Sequence, residues 1–432
     1  MKIGIRKEDK SIWERRTPLT PADASALAAK GLSVAVETSG HRVFPDADYE
    51  AVGVPVQSDL RDCGLILGVK EIPLSAFQPD AAYLFFAHVI KGQSFNMPML
   101  RRMMERRATL FDYERIVDEN GRRLIFFGRH AGLAGMVNTL WTLGRRLRAE
   151  GISSPLDDLR QMREYGELGA ALKAMAALRR ALRARGVPSE AHPLLIGRIG
   201  GGNAGNGADE ILAAAGAETV DVADLSALGN RPADRIYRLP IRKSDWIAPR
   251  DPSKRWDEAD YLRHGVGRHR GNFLPLAREL TALVNCMYWD ERYPRLLTRE
   301  DFQSLRSQNS PGRLRVVGDV SCDVGGPLAC TVRATDPGEP VYVYDPETGE
   351  ARDGVDGPGV AVMAVYMLPA ELPQEASIHF SRTLRPFIPP LANADFSKPL
   401  AEIVLPPELR RAMILHGGEL TPEYEYLRKF VG

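Results

Sequence analysis

The stretch Leu194-Leu195-Ile196-Gly197-Arg198-Ile199-Gly200-Gly201-Gly202-Asn203-Ala204-Gly205 constrains the fold more than any other part of this chain. It reads as an apolar strand, a glycine turn and then an Ala/Leu-rich helix running on through Ala208-Asp209-Glu210-Ile211-Leu212. Gly200, Gly202 and Gly205 stand at G-x-G-x-x-G spacing. In that spacing the first glycine permits the tight turn, the second lets backbone approach a pyrophosphate, and the third lets helix and strand pack closely. The helix start at Asn203 then offers unpaired N–H donors to phosphates. Asp221 lies 19 residues beyond Gly202, after the run Glu218-Thr219-Val220, where an acid would meet ribose hydroxyls. Strand, helix and acid in that order predict a dinucleotide site. A glycine-rich turn with no ligand would account for none of the three flanking features. Nearly two hundred residues precede the loop, so another unit is expected ahead of it.

With 432 residues the chain exceeds one typical core, and two domains are expected. A hydrophobic content of 44% and a charged content of 26% describe an ordinary globular protein. The net charge of +1 argues against nucleic acid or membrane as partners and leaves small molecules. Four cysteines (Cys63, Cys286, Cys322, Cys330) show no C-x-x-C spacing, which suits free thiols in a reducing compartment. The start Met1-Lys2-Ile3-Gly4-Ile5-Arg6-Lys7-Glu8 goes straight into a charged, strand-like run rather than a signal peptide. The longest apolar stretch, 360–368, is far short of a membrane span. A cytoplasmic monomer or small homo-oligomer is expected.

The first ~130 residues alternate short apolar runs with helical patterns, which implies a parallel sheet with helices on both faces. Thr20 suits a helix N-cap, Pro21 the first helical position and Gly31 the stop. Strands are expected at 34–37, 65–69, 83–87, 109–111 and 124–127, then helices over about 131–148 and 156–185. Beyond the glycine loop, 283–287 and 314–317 read as late strands, and 341–344 begins a strand–turn–strand region. Helical patterns at 370–384 and 406–416 close the chain.

Ligands of open α/β sheets bind beyond the carboxyl ends of strands. Three apolar runs end in ionisable residues: Leu65–Val69 in Lys70-Glu71, Leu84–Ala87 in His88, and Leu110-Phe111 in Asp112-Tyr113-Glu114. Such groups converging on one edge shift one another's pKa, making lysine and histidine usable acids or bases near neutrality. Arg15-Arg16 and Arg122-Arg123 stand where guanidinium groups could clamp carboxylates. In the second half, Asn285 and Asp319 end apolar runs that face the nicotinamide end of a dinucleotide in the usual doubly wound geometry. There is no H-E-x-x-H, G-x-S-x-G or P-loop, and the histidines lack metal-ligand spacing, so no metal is expected.

Several motifs then resemble one family. They are Trp13-Glu14-Arg15-Arg16-Thr17-Pro18, Gly68-Val69-Lys70-Glu71-Ile72-Pro73, Phe86-Ala87-His88-Val89-Ile90-Lys91, Asn285-Cys286-Met287-Tyr288-Trp289 and Asp319-Val320-Ser321-Cys322-Asp323. These resemble lysine–ketoglutarate reductase and the lysine-forming saccharopine dehydrogenases, and more distantly alanine dehydrogenase and transhydrogenase. The resemblance spans nearly the whole chain, weakest around 150–192. It implies an α/β fold of two Rossmann-like doubly wound parallel-sheet domains with an interdomain cleft. Residues 1–130 plus about 350–432 would form the substrate domain, and 131–349 the dinucleotide-binding domain with bridging helices.

The family reaction condenses the ε-amine of lysine with 2-oxoglutarate and reduces the imine to saccharopine with NADPH or NADH. By resemblance Lys70 and His88 take the acid–base roles, Arg16 and Arg123 hold carboxylates, and Glu71 and Glu114 tune Lys70 or receive the amine. The chain departs from its relatives at Arg129-His130, at Tyr366-Met367 and at Arg198 within the glycine strand. Asp221 would repel a 2′-phosphate, whereas similar reductases with an acid there use NADPH, so the cofactor preference stays open. Two further readings stay open: an opine-type imine reductase or amino-acid dehydrogenase with another amine or oxo acid, and a dinucleotide-sensing regulatory protein.

Overall fold

The computed structural model describes residues 1–306 and 312–431. The chain divides into two compact units, Met1–Phe127 with Pro373–Gly432, and Gly128–Leu372. The sequence places the return to the first unit at about residue 350; it comes at Pro373. The reason is the strand Val360–Met363, which pairs in parallel with Val316–Asp319 and so belongs to the second sheet.

The first unit is built on β1 (Ile3–Ile5), β2 (Val34–Glu37), β3 (Val56–Gln57), β4 (Leu65–Leu67), β5 (Ala82–Phe85) and β6 (Thr109–Asp112). Their order is β6-β5-β4-β1-β2-β3, all parallel. The strands β1, β4, β5 and β6 are buried at every residue, as unbroken apolar runs covered by helices on both faces must be. The chain leaves β1 for β2 and β3 on one side and returns with β4 on the other. A topological switch point therefore lies between the carboxyl ends of β1 and β4. Thr20 caps the helix Pro21–Ala28 as expected, its hydroxyl accepting from the Asp23 N–H.

Three local expectations are corrected. Residues 124–127 form no strand: the segment runs from the isolated bridge Val117↔Arg123 directly into the helix that begins at Gly128, and Phe127 stacks on Phe380 at 4.6 Å between ring centroids. The helix expected over 156–185 is broken, since Gly166 adopts a φ of +76° and the continuous helix is Leu168–Arg185. The helix expected over 406–416 stops at Ala412. Met413–His416 instead lies antiparallel on β6 and makes the sheet mixed.

The second unit holds β7 (Leu194–Ile199), β8 (Glu218–Thr219), β9 (Ile236–Ile241), the small pair β10 (Ile247–Pro249) and β11 (His269–Gly271), then β12 (Ala282–Asn285), β13 (Val316–Asp319), β14 (Val341–Tyr344), β15 (Ala351–Asp353) and β16 (Val360–Met363). The main sheet runs β15-β14-β16-β13-β12-β7-β9-β8, with β14 and β15 antiparallel at one edge. Two mixed, mainly parallel eight-stranded sheets thus make an α/β fold of Rossmann-like type. The strand that follows the glycine-loop helix, β8, does not lie beside β7; β9 does, over six residue pairs.

The long helix Gly128–Ala149 crosses the glycine-loop helix Asn203–Ala214 at very short range. A Cβ on Gly132 would lie 1.8 Å from the Ala204 carbonyl oxygen, and one on Gly207 2.1 Å from that of Arg129. Among the described residues no helix is long and apolar enough to cross a membrane.

Candidate active site and dinucleotide loop

The carboxyl ends of β1, β4, β5 and β6 carry the ionisable residues of the first unit. Beyond β1, Glu8 is buried and its two oxygens accept from the N–H groups of Val69 (2.6 Å) and Lys70 (2.9 Å), fixing the backbone that carries Lys70. Glu14 and Arg16 form a buried bidentate pair at 2.7 and 2.6 Å, and the Arg16 guanidinium lies 4.1 Å above the Phe127 ring. Burial and then the Arg16 charge push the Lys70 ammonium below its ordinary range, against the pull of Glu14, Glu71 and Glu8. Burial works against ionising Glu14, yet the Arg16 charge and hydrogen bonds hold its carboxyl below the usual range.

Beyond β5, His88 takes a left-handed φ of +50°, and Asn96 Nδ2 donates to its carbonyl at 3.1 Å. Such a conformation in a non-glycine residue costs roughly 1–3 kcal/mol and persists where the surroundings enforce it. His88 Nδ1 lies 2.8 Å from Glu71 Oε1. Burial opposes ionisation of Glu71, but this hydrogen bond and the His88 charge bring its carboxyl down to about 2. An ionised Glu71 accepts from Nδ1–H and leaves His88 Nε2 as the nitrogen that can exchange a proton. Beyond β6, Glu114 and Arg123 pair with each other at 2.9 Å, and Arg123 is half exposed.

The expected residues Arg16, Lys70, Glu71, His88, Glu114 and Arg123 therefore all belong to this edge of one sheet. Two differ in detail from simple clamps, because Arg16 and Arg123 are already engaged by Glu14 and Glu114. Sequence reasoning missed Glu8. The one signal for it is position, three residues beyond β1 at the switch point.

Burial, then the Glu14 charge, raises Glu8 from 4.5 to about 7; burial, then Glu114, raises Asp112 from 3.8 to about 7. Asp112 Oδ2 is buried without a hydrogen-bond partner, as suits a protonated acid. Groups with raised folded-state pKa stabilise fully below their unfolded values, and that contribution is lost as pH rises through the folded ones. Stability should therefore fall between pH ~4.5 and ~7.5, by on the order of 3 kcal/mol for each acid. Urea midpoints at pH 5 and pH 8 check this, and Glu8→Gln should flatten the slope. A midpoint that rises over this interval in the wild type would contradict it.

In the second unit Gly200 follows β7 with a φ of +91°, and a Cβ there would lie 2.5 Å from the Cys286 carbonyl oxygen. A Cβ on Gly205 would lie 2.1 Å from the Gly200 oxygen, whereas Gly201 and Gly202 have nothing within 4 Å of theirs. The loop is thus closed on its protein side and open above. Gly202, the N-cap of the helix beginning at Asn203, brings no side chain to the first N–H donors. That cradle fits a pyrophosphate.

Arg198, anomalous in an apolar strand, pairs with Asp209 at 2.8 Å and donates to the Gly200 carbonyl at 3.2 Å, bracing the turn. Arg129 pairs with Glu210 on the same glycine-loop helix at 2.5 Å. Asn285 and Asp319 are fully buried and bonded to each other at 2.9 Å. Asn285 Oδ1 also accepts from the Met287 N–H at 3.1 Å, so this pair shapes the 286–287 segment against which Gly200 closes. Asp221 is two-thirds exposed beyond β8. No cluster of three or more His, Cys, Asp or Glu suited to a metal occurs among the described residues.

Residues 4–134 match the alanine dehydrogenase/PNT N-terminal domain and residues 170–423 the C-terminal domain. The chain is 36% identical over 444 residues to the alpha-aminoadipic semialdehyde synthase of Arabidopsis thaliana, covering 98% of this chain and 41% of that protein. The mitochondrial alpha-aminoadipic semialdehyde synthase of Rattus norvegicus is 31% identical over 451 residues, covering 99% and 47%. The chain spans just under half the length of these two relatives. A saccharopine dehydrogenase (NAD(+), L-lysine-forming) of Schizosaccharomyces pombe is 28% identical over 408 residues, covering 91% and 94%. Among solved structures, an L-alanine dehydrogenase superposes with a TM-score of 0.64 at 19% identity over 100% of both chains, and so shares the fold. With both domains matched in order, the chain belongs to the alanine dehydrogenase/PNT family.

Proposed function

We propose that this chain is a nicotinamide-dinucleotide-dependent oxidoreductase acting on a CH–NH bond, which joins the ε-amine of lysine to 2-oxoglutarate as saccharopine or runs the reverse oxidation. The first unit binds the substrates and the second the dinucleotide. The observation that carries the reading is the Lys70 ammonium, depressed by burial and by Arg16, on the same strand edge as a His88–Glu71 pair. The names and extent of the similar proteins support the substrate assignment.

Imine chemistry fits these groups. Attack of the amine on the oxo carbon moves one proton from nitrogen to the new hydroxyl, and dehydration then needs a proton delivered to that hydroxyl. In this reading Lys70 and the Nε2 of His88 take and return these protons. Arg16 and Arg123 supply the positive charge for the oxo-acid carboxylates in this reading, each held by its own carboxylate partner. When bound, the reduced nicotinamide supplies the hydride, and the Asn203 helix start and the glycine turn hold the pyrophosphate.

Initial rates of NADPH and NADH oxidation with lysine plus 2-oxoglutarate test the reading, beside a panel of other amines and oxo acids. Lysine is expected to give the highest kcat/KM of the panel. Activity with a different amine and none with lysine would overturn the substrate assignment, and silence with every pair would overturn the catalytic one.

A further inference from the structure

We infer that Arg242, rather than Asp221, stands at the adenosine ribose of the dinucleotide, and that the site takes a dinucleotide carrying a phosphate on that ribose. The inference rests on the proposed reading of the glycine loop as a dinucleotide site. In the usual doubly wound order, 3-2-1-4-5-6, the strand beside the glycine strand ends at the residue that meets the ribose. The strand in that place here is β9, although β8 comes first in the chain. Ile199 pairs with Ile241, so Arg242 stands level with Gly200 on the adjoining strand. Thr219 pairs with Arg238, and the Val220 N–H donates to the Arg238 carbonyl. Asp221 therefore lies about level with Pro240 and one strand further out, a sideways step of about 4.8 Å.

The charges at this edge agree. Arg198 and Arg238 both direct their guanidinium groups to Asp209, at 2.8 and 3.3 Å. Lys243 is tied to Glu258 at 2.7 Å. Arg242 has its backbone fixed, since its N–H donates to Asp245 Oδ2 at 2.7 Å. Among the described residues its side chain is paired with the outlying Asp221, Nη2 to Oδ1 at 3.9 Å, with both side chains about two-thirds exposed (68% and 67%). An exposed pair of that length stabilises little and yields readily to a better partner. A ribose phosphate, with a charge near −2 and oxygens matching the guanidinium fork, is such a partner. A ribose bearing only hydroxyls would be served instead by a carboxylate at this position.

The test is calorimetric titration of the full chain with adenosine 2′,5′-bisphosphate and with adenosine 5′-monophosphate, neither of which requires turnover. The bisphosphate is expected to bind about 10- to 100-fold more tightly. Arg242→Gln should remove most of that difference by weakening the bisphosphate, and a thermal midpoint at the wild-type value shows that the variant is folded. Arg242→Lys should retain part of the preference, and Asp221→Asn should strengthen bisphosphate binding. Equal affinities in the wild type, or a preference that survives Arg242→Gln, would overturn the inference while leaving the dinucleotide loop in place. Failure of both nucleotides, and of NADH and NADPH, to bind would overturn the loop reading along with it.

Discussion

Replacing Lys70 by Met should lower kcat for saccharopine formation by about 10²- to 10⁴-fold, the range set by removing a positioned acid–base group. Methionine keeps an unbranched chain of similar length, so the buried stem still packs while the titrating nitrogen disappears. Nothing about the glycine loop should change, because Lys70 belongs to the first unit and the loop to the second. Nucleotide affinity, read by fluorescence titration with NADPH, should stay at the wild-type value while turnover collapses. The electrostatics make this the sensitive position. Burial and Arg16 press the ammonium below its ordinary range while three acids oppose them. His88→Gln should cost less, since it leaves Lys70 in place, but it should change the pH profile of kcat by removing the Glu71-oriented imidazole. Turnover of Lys70→Met equal to the wild type would remove the lysine from the chemistry.

How far the chain could be read in advance follows from the physics of each element. The runs ending at Lys70, His88 and Asp112 were legible because strands buried on both faces cannot alternate, and the first polar residue marks the edge. The glycine loop was legible because its spacing encodes three separate backbone needs, of which the structure shows two as would-be clashes at Gly200 and Gly205. Glu8 was hidden, since a carboxylate that binds backbone N–H groups leaves no periodic trace in sequence. The placing of β9 inside β8 was hidden for a related reason. Strand order depends on which strand buries better against β7, and Ile236–Ile241 offers six residue pairs where Glu218-Thr219 is too short to offer as many. Arg198 looked out of place in an apolar strand until Asp209 and the Gly200 carbonyl supplied partners across the fold. The late return to the first unit escaped because Val360–Met363 is as apolar as any strand of either sheet.

Gly132→Ala should destabilise the chain severely, although helix propensity alone predicts the reverse. Alanine in a helix interior is better than glycine by about 1 kcal/mol. Against that, the added Cβ would sit 1.8 Å from the Ala204 carbonyl oxygen and 2.9 Å from the Ala208 nitrogen, both backbone atoms of the glycine-loop helix. Backbone cannot rotate aside as a side-chain tip can, so two helices must part by more than an ångström. Overpacking of this kind costs roughly 3 kcal/mol or more and outweighs the propensity gain. For a unit of this size the loss corresponds to a fall in Tm of about 6–12 °C. Gly229→Ala supplies the contrast, because nothing lies within 4 Å of its would-be Cβ, and its Tm should stay near the wild type. The same displacement moves Asn203 and the donors behind it, so NADPH affinity should fall along with stability in Gly132→Ala alone. Thermal scans and nucleotide titration of the two variants side by side separate the explanations: a stabilised Gly132→Ala would mean that propensity governs, whereas a destabilised, weakly binding one means that the helix contact sets the shape of the loop.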